Sequence, residues 1–163
     1  MLAGLGCNNI WKGALKGVWC VLLFATLVSA NVPAVGLAES SCPGIHIKIV
    51  NIKNSTGTIV CSLFESSVGF PVEYMRYAIT TIAIGIRGRQ ARCDFVNIPP
   101  GIYSIAVIHD ENRNGKLDTS WLGIPTESFG FSNDAKALLG APSFSAASFL
   151  YEGRDMELTI SLR

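Results

Sequence analysis

Gln90-Ala91-Arg92-Cys93-Asp94-Phe95-Val96 decides the fold. Ala91, Cys93 and Phe95 share one side while Arg92 and Asp94 share the other, the period-two pattern of a strand with one buried face. Upstream, Thr58-Ile59-Val60-Cys61-Ser62-Leu63-Phe64 is a β-branched run of the same kind, and Cys61 lies on a face with Ile59 and Leu63. Both cysteines therefore point into apolar faces. A Cys61–Cys93 disulfide across or within the core is expected, against the alternative that all the thiols stay reduced.

Working outward, Ile45, Ile47 and Ile49 alternate with His46 and Lys48, which makes 45–49 a strand with His46 facing solvent. Residues 51–57 are rich in turn formers and predict a hairpin into 58–64. Pro71 can open a short helix through residue 78, since proline is tolerated in a first turn. Residues 79–86 read as another strand, turning at Arg87-Gly88-Arg89. Asn97-Ile98-Pro99-Pro100-Gly101 is a turn before a strand over 102–108. Residues 122–140, with glycines, Pro125 and Ser/Asn/Asp, form a long irregular stretch, and such loops are more often functional than idle. A short strand or helical turn over 142–149 precedes a closing strand in which Met156, Leu158, Ile160 and Leu162 alternate with Glu157, Thr159 and Ser161. Short strands, turn signals and little helix predict an all-β antiparallel sandwich with a long ordered loop.

A formal net charge of +1, with 15% charged and 49% hydrophobic residues, argues against a nucleic-acid binder or a disordered tail. Lys12 and Lys16 precede the apolar run 18–28, the pattern of a secretory signal. An uncleaved span would need roughly 20 apolar residues, more than this run holds. Cleavage is expected after Val28-Ser29-Ala30 or Gly36-Leu37-Ala38; Pro33 favours the second, giving a signal peptide over 1–38 and a single domain over 39–163. Gly4 and Gly17, three before Cys7 and Cys20, do not suit a lipobox. A mature chain of about 125 residues suffices for one core. Export to the periplasm or beyond places Cys42, Cys61 and Cys93 where a disulfide persists, and Cys42 is left over as a free thiol.

The stretch with a specific chemistry is His109-Asp110-Glu111-Asn112-Arg113-Asn114-Gly115-Lys116-Leu117-Asp118. Asp110, Asn112, Asn114, Gly115 and Asp118 fall at positions 1, 3, 5, 6 and 9 of a calcium loop, in which oxygens at alternate positions converge on a cation. Position 12, normally a bidentate Glu, is Trp121. The competing reading is an Asx-rich turn whose side chains bond their own backbone amides and hold no ion. Calcium prefers oxygen, so His109 is expected to be a strand-end residue whose ring bonds a neighbour.

Gly69-Phe70-Pro71, Pro99-Pro100-Gly101-Ile102-Tyr103, the 109–118 stretch, Leu122-Gly123-Ile124-Pro125 with Glu127, and Gly130-Phe131-Ser132-Asn133 occur in that order. Together they resemble an uncharacterised bacterial family of small exported proteins, a domain of unknown function. The resemblance implies an immunoglobulin-like or prealbumin-like β-sandwich outside the cytoplasm and supplies no activity. The loop alone also resembles the calcium loops of β-sandwich domains in Gram-positive surface adhesins. That likeness implies ligands from the side chains of Asp110, Asn112, Asn114 and Asp118 and the carbonyl of Lys116, with Glu127 or Asp134 left to complete the shell. Neutral Asn ligands and the missing Glu point to the weak extracellular regime, roughly 10⁻⁴ to 10⁻³ M.

An enzyme is the competing class: His109 with neighbouring carboxylates, Ser132 and Glu127 could be assembled into a periplasmic hydrolase. Against it, 130–134 lacks the second glycine of a nucleophile elbow, and no H-E-x-x-H motif occurs. Trp121, Phe129 and Phe131 could form a platform for a glycan or peptide, or else the loop's own small core. The expectation is thus a non-catalytic exported module that binds or scaffolds a protein or glycan at the cell envelope, with calcium ordering its loop, no nucleic-acid partner, and no membrane span after cleavage.

Overall fold

Strand β1, Gly44–Val50, alternates buried isoleucines with polar residues and lies at the centre of a three-stranded sheet. On one side it pairs antiparallel with β4, Ala91–Val96, with Ile47 opposite Cys93. On the other it pairs with β8, Met156–Ser161, and this pair runs parallel, Ile47 opposite Leu158. The second sheet has the order β3-β2-β5-β6: β2 is Thr58–Phe64, β3 Thr80–Ile84, β5 Gly101–Asp110 and β6 Phe129–Phe131. Short β7, Phe149–Tyr151, pairs with the start of β5. The protein is an all-β sandwich. A computed structural model describes residues 43–137 and 140–163, which fall within one compact unit, Cys42–Arg163. The expected signal peptide over 1–38 and the free thiol at Cys42 lie outside the described residues.

The core between the sheets takes the period-two faces that the sequence presents. Ile45, Ile47 and Ile49 meet Ile59, Cys61, Leu63, Phe95, Ile105, Val107 and Ile160, all essentially inaccessible to water. Cys61 of β2 and Cys93 of β4 are disulfide-bonded with Cα atoms 6.7 Å apart, so the bond joins one sheet to the other through this core.

Three features depart from the sequence reading. The 51–57 turn does not close a hairpin, because β1 and β2 belong to different sheets. Likewise the turn at 87–90, held by an Arg87–Gln90 bridge, carries the chain from one sheet to the other. Turn chemistry marks a reversal without stating which sheet the next strand joins. The stretch 122–140 is also more regular than expected: it contains β6 and a 3-10 turn at Ser132–Asp134.

A second apolar layer covers the outer face of the second sheet. Val60 and Phe64 of β2 and Ala106 and Ile108 of β5 pack with Tyr74, Phe131, Ala135 and Ala147. Helical turns α1, Tyr74–Tyr77, and α2, Phe144–Ala147, contribute to this layer. Phe70 lies edge-on to both Phe64 and Phe144. Strands covered on both faces carry continuous apolar runs rather than alternation, and 102–108 has that character. Every residue of β5 from Tyr103 to Asp110 is buried. This twice-covered strand delivers the chain to the oxygen-rich loop.

Candidate functional site

The site begins where β5 leaves the sheet. His109 is fully buried, and its Nε2 donates to the Thr56 carbonyl at 2.7 Å. Its Nδ1 has no hydrogen-bond partner among the described residues and lies 3.9 Å from Glu111 Oε1. Asn54 donates to the other oxygen of Glu111 at 3.1 Å. The 51–57 turn thus packs directly on the end of β5. Gly57 makes that approach feasible: its φ is +78°, and a Cβ there would stand 2.1 Å from the Asp110 carbonyl oxygen.

Asp110, 2% exposed, folds the loop over itself. Its two carboxylate oxygens accept the N–H groups of Asn114 at 3.0 Å and Gly115 at 2.8 Å. Asn112 Oδ1 accepts from Asn114 N at 3.0 Å, and Asn114 Oδ1 from Lys116 N at 2.8 Å. The two carboxamide nitrogens then both donate to Asp118, at 2.6 and 2.9 Å. Asp110, Asn112, Asn114 and Asp118 therefore form one interlocked set, and this is the Asx-turn geometry that those residue types favour. Lys116 enters it through its backbone N–H.

Glu127 ties the two ends of the loop together. It is 8% exposed, and its carboxylate accepts Glu111 N at 2.8 Å and Asp118 N at 3.0 Å. Tyr74 of α1 donates its hydroxyl to the Gly115 carbonyl, and Leu117 packs against the outer apolar layer. Burial, then the charges of Asp110 and Glu127, push the Tyr74 phenol above its ordinary value. Among the described residues, no Lys or Arg nitrogen lies within 4.0 Å of the carboxylates of Asp110, Glu111, Asp118 or Glu127.

Other residues named from sequence lie apart. Asp134 accepts Ser161 N at 3.0 Å and joins β8 instead of the loop. Among the described residues no three His, Cys, Asp or Glu side chains form a metal-holding group, so a cation here would draw on Asn amides and backbone carbonyls. Ser132 Oγ bonds Ile105 and Ala147 backbone groups. Beside Ile105, it stands four strand positions from His109, roughly 13 Å. Trp121 is 91% exposed, whereas Phe131 is buried and Phe129 half-buried, with the Arg163 guanidinium 5.2 Å from the Phe129 ring centre. The three rings therefore form no common platform; β6 turns Phe131 into the outer layer.

Tyr74, Asn54, Thr56 and Gly57 were not singled out in the sequence. Nothing local marks them, because each reaches the loop from another part of the chain. An open cleft of about 580 Å³ lined by Lys48, Ile84, Arg92 and Glu157 shares no residue with the loop.

The family model described as "Uncharacterized protein conserved in bacteria (DUF2141)" matches residues 47–159, more than half of the chain. No curated protein and no solved structure matches.

Proposed function

The chain belongs to the uncharacterized bacterial family DUF2141, and for this member we propose an exported, non-catalytic β-sandwich that binds or scaffolds a protein or glycan at the cell envelope, with its 110–118 loop a weak calcium site. The observation that carries the calcium reading is the gathering of Asp110, Glu111, Asp118 and Glu127 without a lysine or arginine partner among the described residues. Like charges repel, and a hard divalent cation relieves that repulsion. Asp110 and Asp118 would supply carboxylate oxygen, Lys116 its carbonyl, and Asn112 and Asn114 their amide oxygens once the carboxamides turn. Glu127, already engaged by two backbone amides, holds the loop's ends and shapes the site from behind. When bound, calcium neutralises the loop and makes its folded form more stable by mass action.

Export is supported by the apolar run behind Lys12 and Lys16 and by a core disulfide, a bond that persists in oxidising compartments. The periplasm or the cell exterior is the location this supports.

The test is a thermal melt of the protein in EDTA and again in about 10 mM calcium, beside Asp118→Asn. A dissociation constant of about 1 mM would add about 1.4 kcal/mol, raising Tm by about 5 °C. The rise should vanish in Asp118→Asn, whose backbone N–H still reaches Glu127. Superimposable native curves with and without calcium would overturn the calcium reading.

A further inference from the structure

The segment following the loop is a protruding turn. Thr119 bridges Pro125, Ser120 N donates to the Ile124 carbonyl at 2.8 Å, and Gly123 N donates to the Ser120 carbonyl at 2.8 Å. Ile124 N reaches Ser120 Oγ at 3.3 Å, and Thr126 N the Asp118 carbonyl at 2.8 Å. The N–H groups of Ser120, Gly123, Ile124 and Thr126 are thus bonded within the turn. Its side chains do the opposite: Trp121, Leu122 and Ile124 are 91%, 62% and 60% exposed, and no charged residue lies between Thr119 and Thr126.

We propose that this turn inserts into the headgroup region of an anionic lipid bilayer, with Trp121, Leu122 and Ile124 as the inserting side chains. Three observations select that occupant. A convex tip has no cavity for a small ligand. A backbone partly bonded within its own turn carries fewer unpaired donors into a water-poor layer, and tryptophan with aliphatic neighbours is the composition that favours the membrane interface. The third is charge. Strand register puts the 51–57 and 85–90 connections at the same end of the sandwich, since Thr58 pairs with Asp110 and Ile59 with Ile84. There Lys53, Arg87, Arg113 and Lys116 are exposed, whereas Asp110 and Glu127 are buried and Glu111 and Asp118 partly so. These exposed basic side chains complement anionic headgroups.

The inference is independent of calcium, so the experiment is run in EDTA. The full chain is mixed with vesicles of brominated phosphatidylcholine, alone or with phosphatidylglycerol. Trp121 emission is taken as the difference between the native protein and Trp121→Phe, because Trp11 and Trp19 also emit. The expected result is a blue shift and bromine quenching of Trp121 on the anionic vesicles, weakened by salt and by Arg113→Gln with Lys116→Gln. Leu122→Ser with Ile124→Ser should weaken the quenching titration about tenfold while leaving the circular dichroism unchanged. Trp121 emission unmoved by anionic vesicles would overturn the proposal, including when the protein sediments with them through another segment. So would equal quenching on neutral vesicles, or a shift that tracks protein concentration without lipid, the mark of a second copy as the occupant.

Discussion

Residues 110–118 and 119–126 are adjoining halves of one connection between β5 and β6, and they solve opposite problems. The first half is polar and bonded to itself: Asp110, Asn112, Asn114 and Asp118 satisfy one another and the backbone, and Glu127 and Tyr74 fasten the loop to the fold. The second half has backbone bonds within its own turn and its apolar side chains outward, and among the described residues no other hydrogen bond reaches it. The difference separates residues that hold the structure from residues available to something else. The bonds that fasten the connection to the fold belong to the first half, and the exposed apolar side chains to the second.

That division is broken most directly at Glu127. Glu127→Ala removes the acceptor of two backbone amides, of Glu111 and Asp118, each worth about 1.5 to 3 kcal/mol when bonded to a charged group. Loss of one carboxylate from a crowded acidic loop offsets part of this. A net loss of about 3 kcal/mol, or about 10 °C in Tm, is expected. Glu127→Gln keeps one acceptor oxygen and should lose about half as much. A melt of Glu127→Ala within a degree or so of the native curve would show that the loop does not depend on this fastening.

Tyr74→Phe sharpens the comparison with a smaller effect. The hydroxyl lost from the Gly115 carbonyl costs about 1 kcal/mol at neutral pH. The pH dependence follows from the direction of the shift. Because burial, then Asp110 and Glu127, raise the phenol above its ordinary 10.0, its contribution is complete below that value and is lost as pH rises through the higher folded one. Native stability should therefore fall above pH 10, and Tyr74→Phe should flatten part of the fall. Tyr103, raised mainly by burial and then by Glu65 and Tyr151, keeps the remainder. Equal slopes in denaturant melts of the two proteins across that range would show that Tyr74 ionises freely.

The fold was legible wherever one face of a strand is wet. Ile45, Ile47 and Ile49, and Ala91, Cys93 and Phe95, alternate because β1 and β4 face the core on one side only, and the Cys61–Cys93 bond followed from reading both faces. It was less legible for β5, whose unbroken apolar run hid a second covered face, and for the sheet change at 51–57, where turn residues mark a reversal without an address. The loop's members were legible because Asp110, Asn112, Asn114 and Asp118 lie close in sequence. Their outside supports were not: Tyr74, Asn54 and Gly57 arrive through tertiary packing and leave no trace in the loop's own spacing. For Phe129 and Phe131 the sequence left a ligand platform and a small core both open, and β6 pairing turns the two rings into the outer layer.

The smallest effect is expected at the other half of the connection, and it discriminates because it is small. A tryptophan that packs into a core costs about 3 to 5 kcal/mol to truncate, through lost transfer energy and the cavity left behind. Trp121 at 91% exposure has almost no such burial to lose, and none of the turn's hydrogen bonds uses its side chain. Trp121→Ser should therefore move the denaturation midpoint by no more than about 0.5 kcal/mol, the range of surface substitutions. A slight gain is physically reasonable, because the native side chain holds apolar surface in water. A loss above about 1 kcal/mol would mean that Trp121 folds back onto the loop in solution, merging the two halves into one structural unit. An unchanged midpoint leaves the indole with no role in holding the fold, which is what the proposed contact with a bilayer requires.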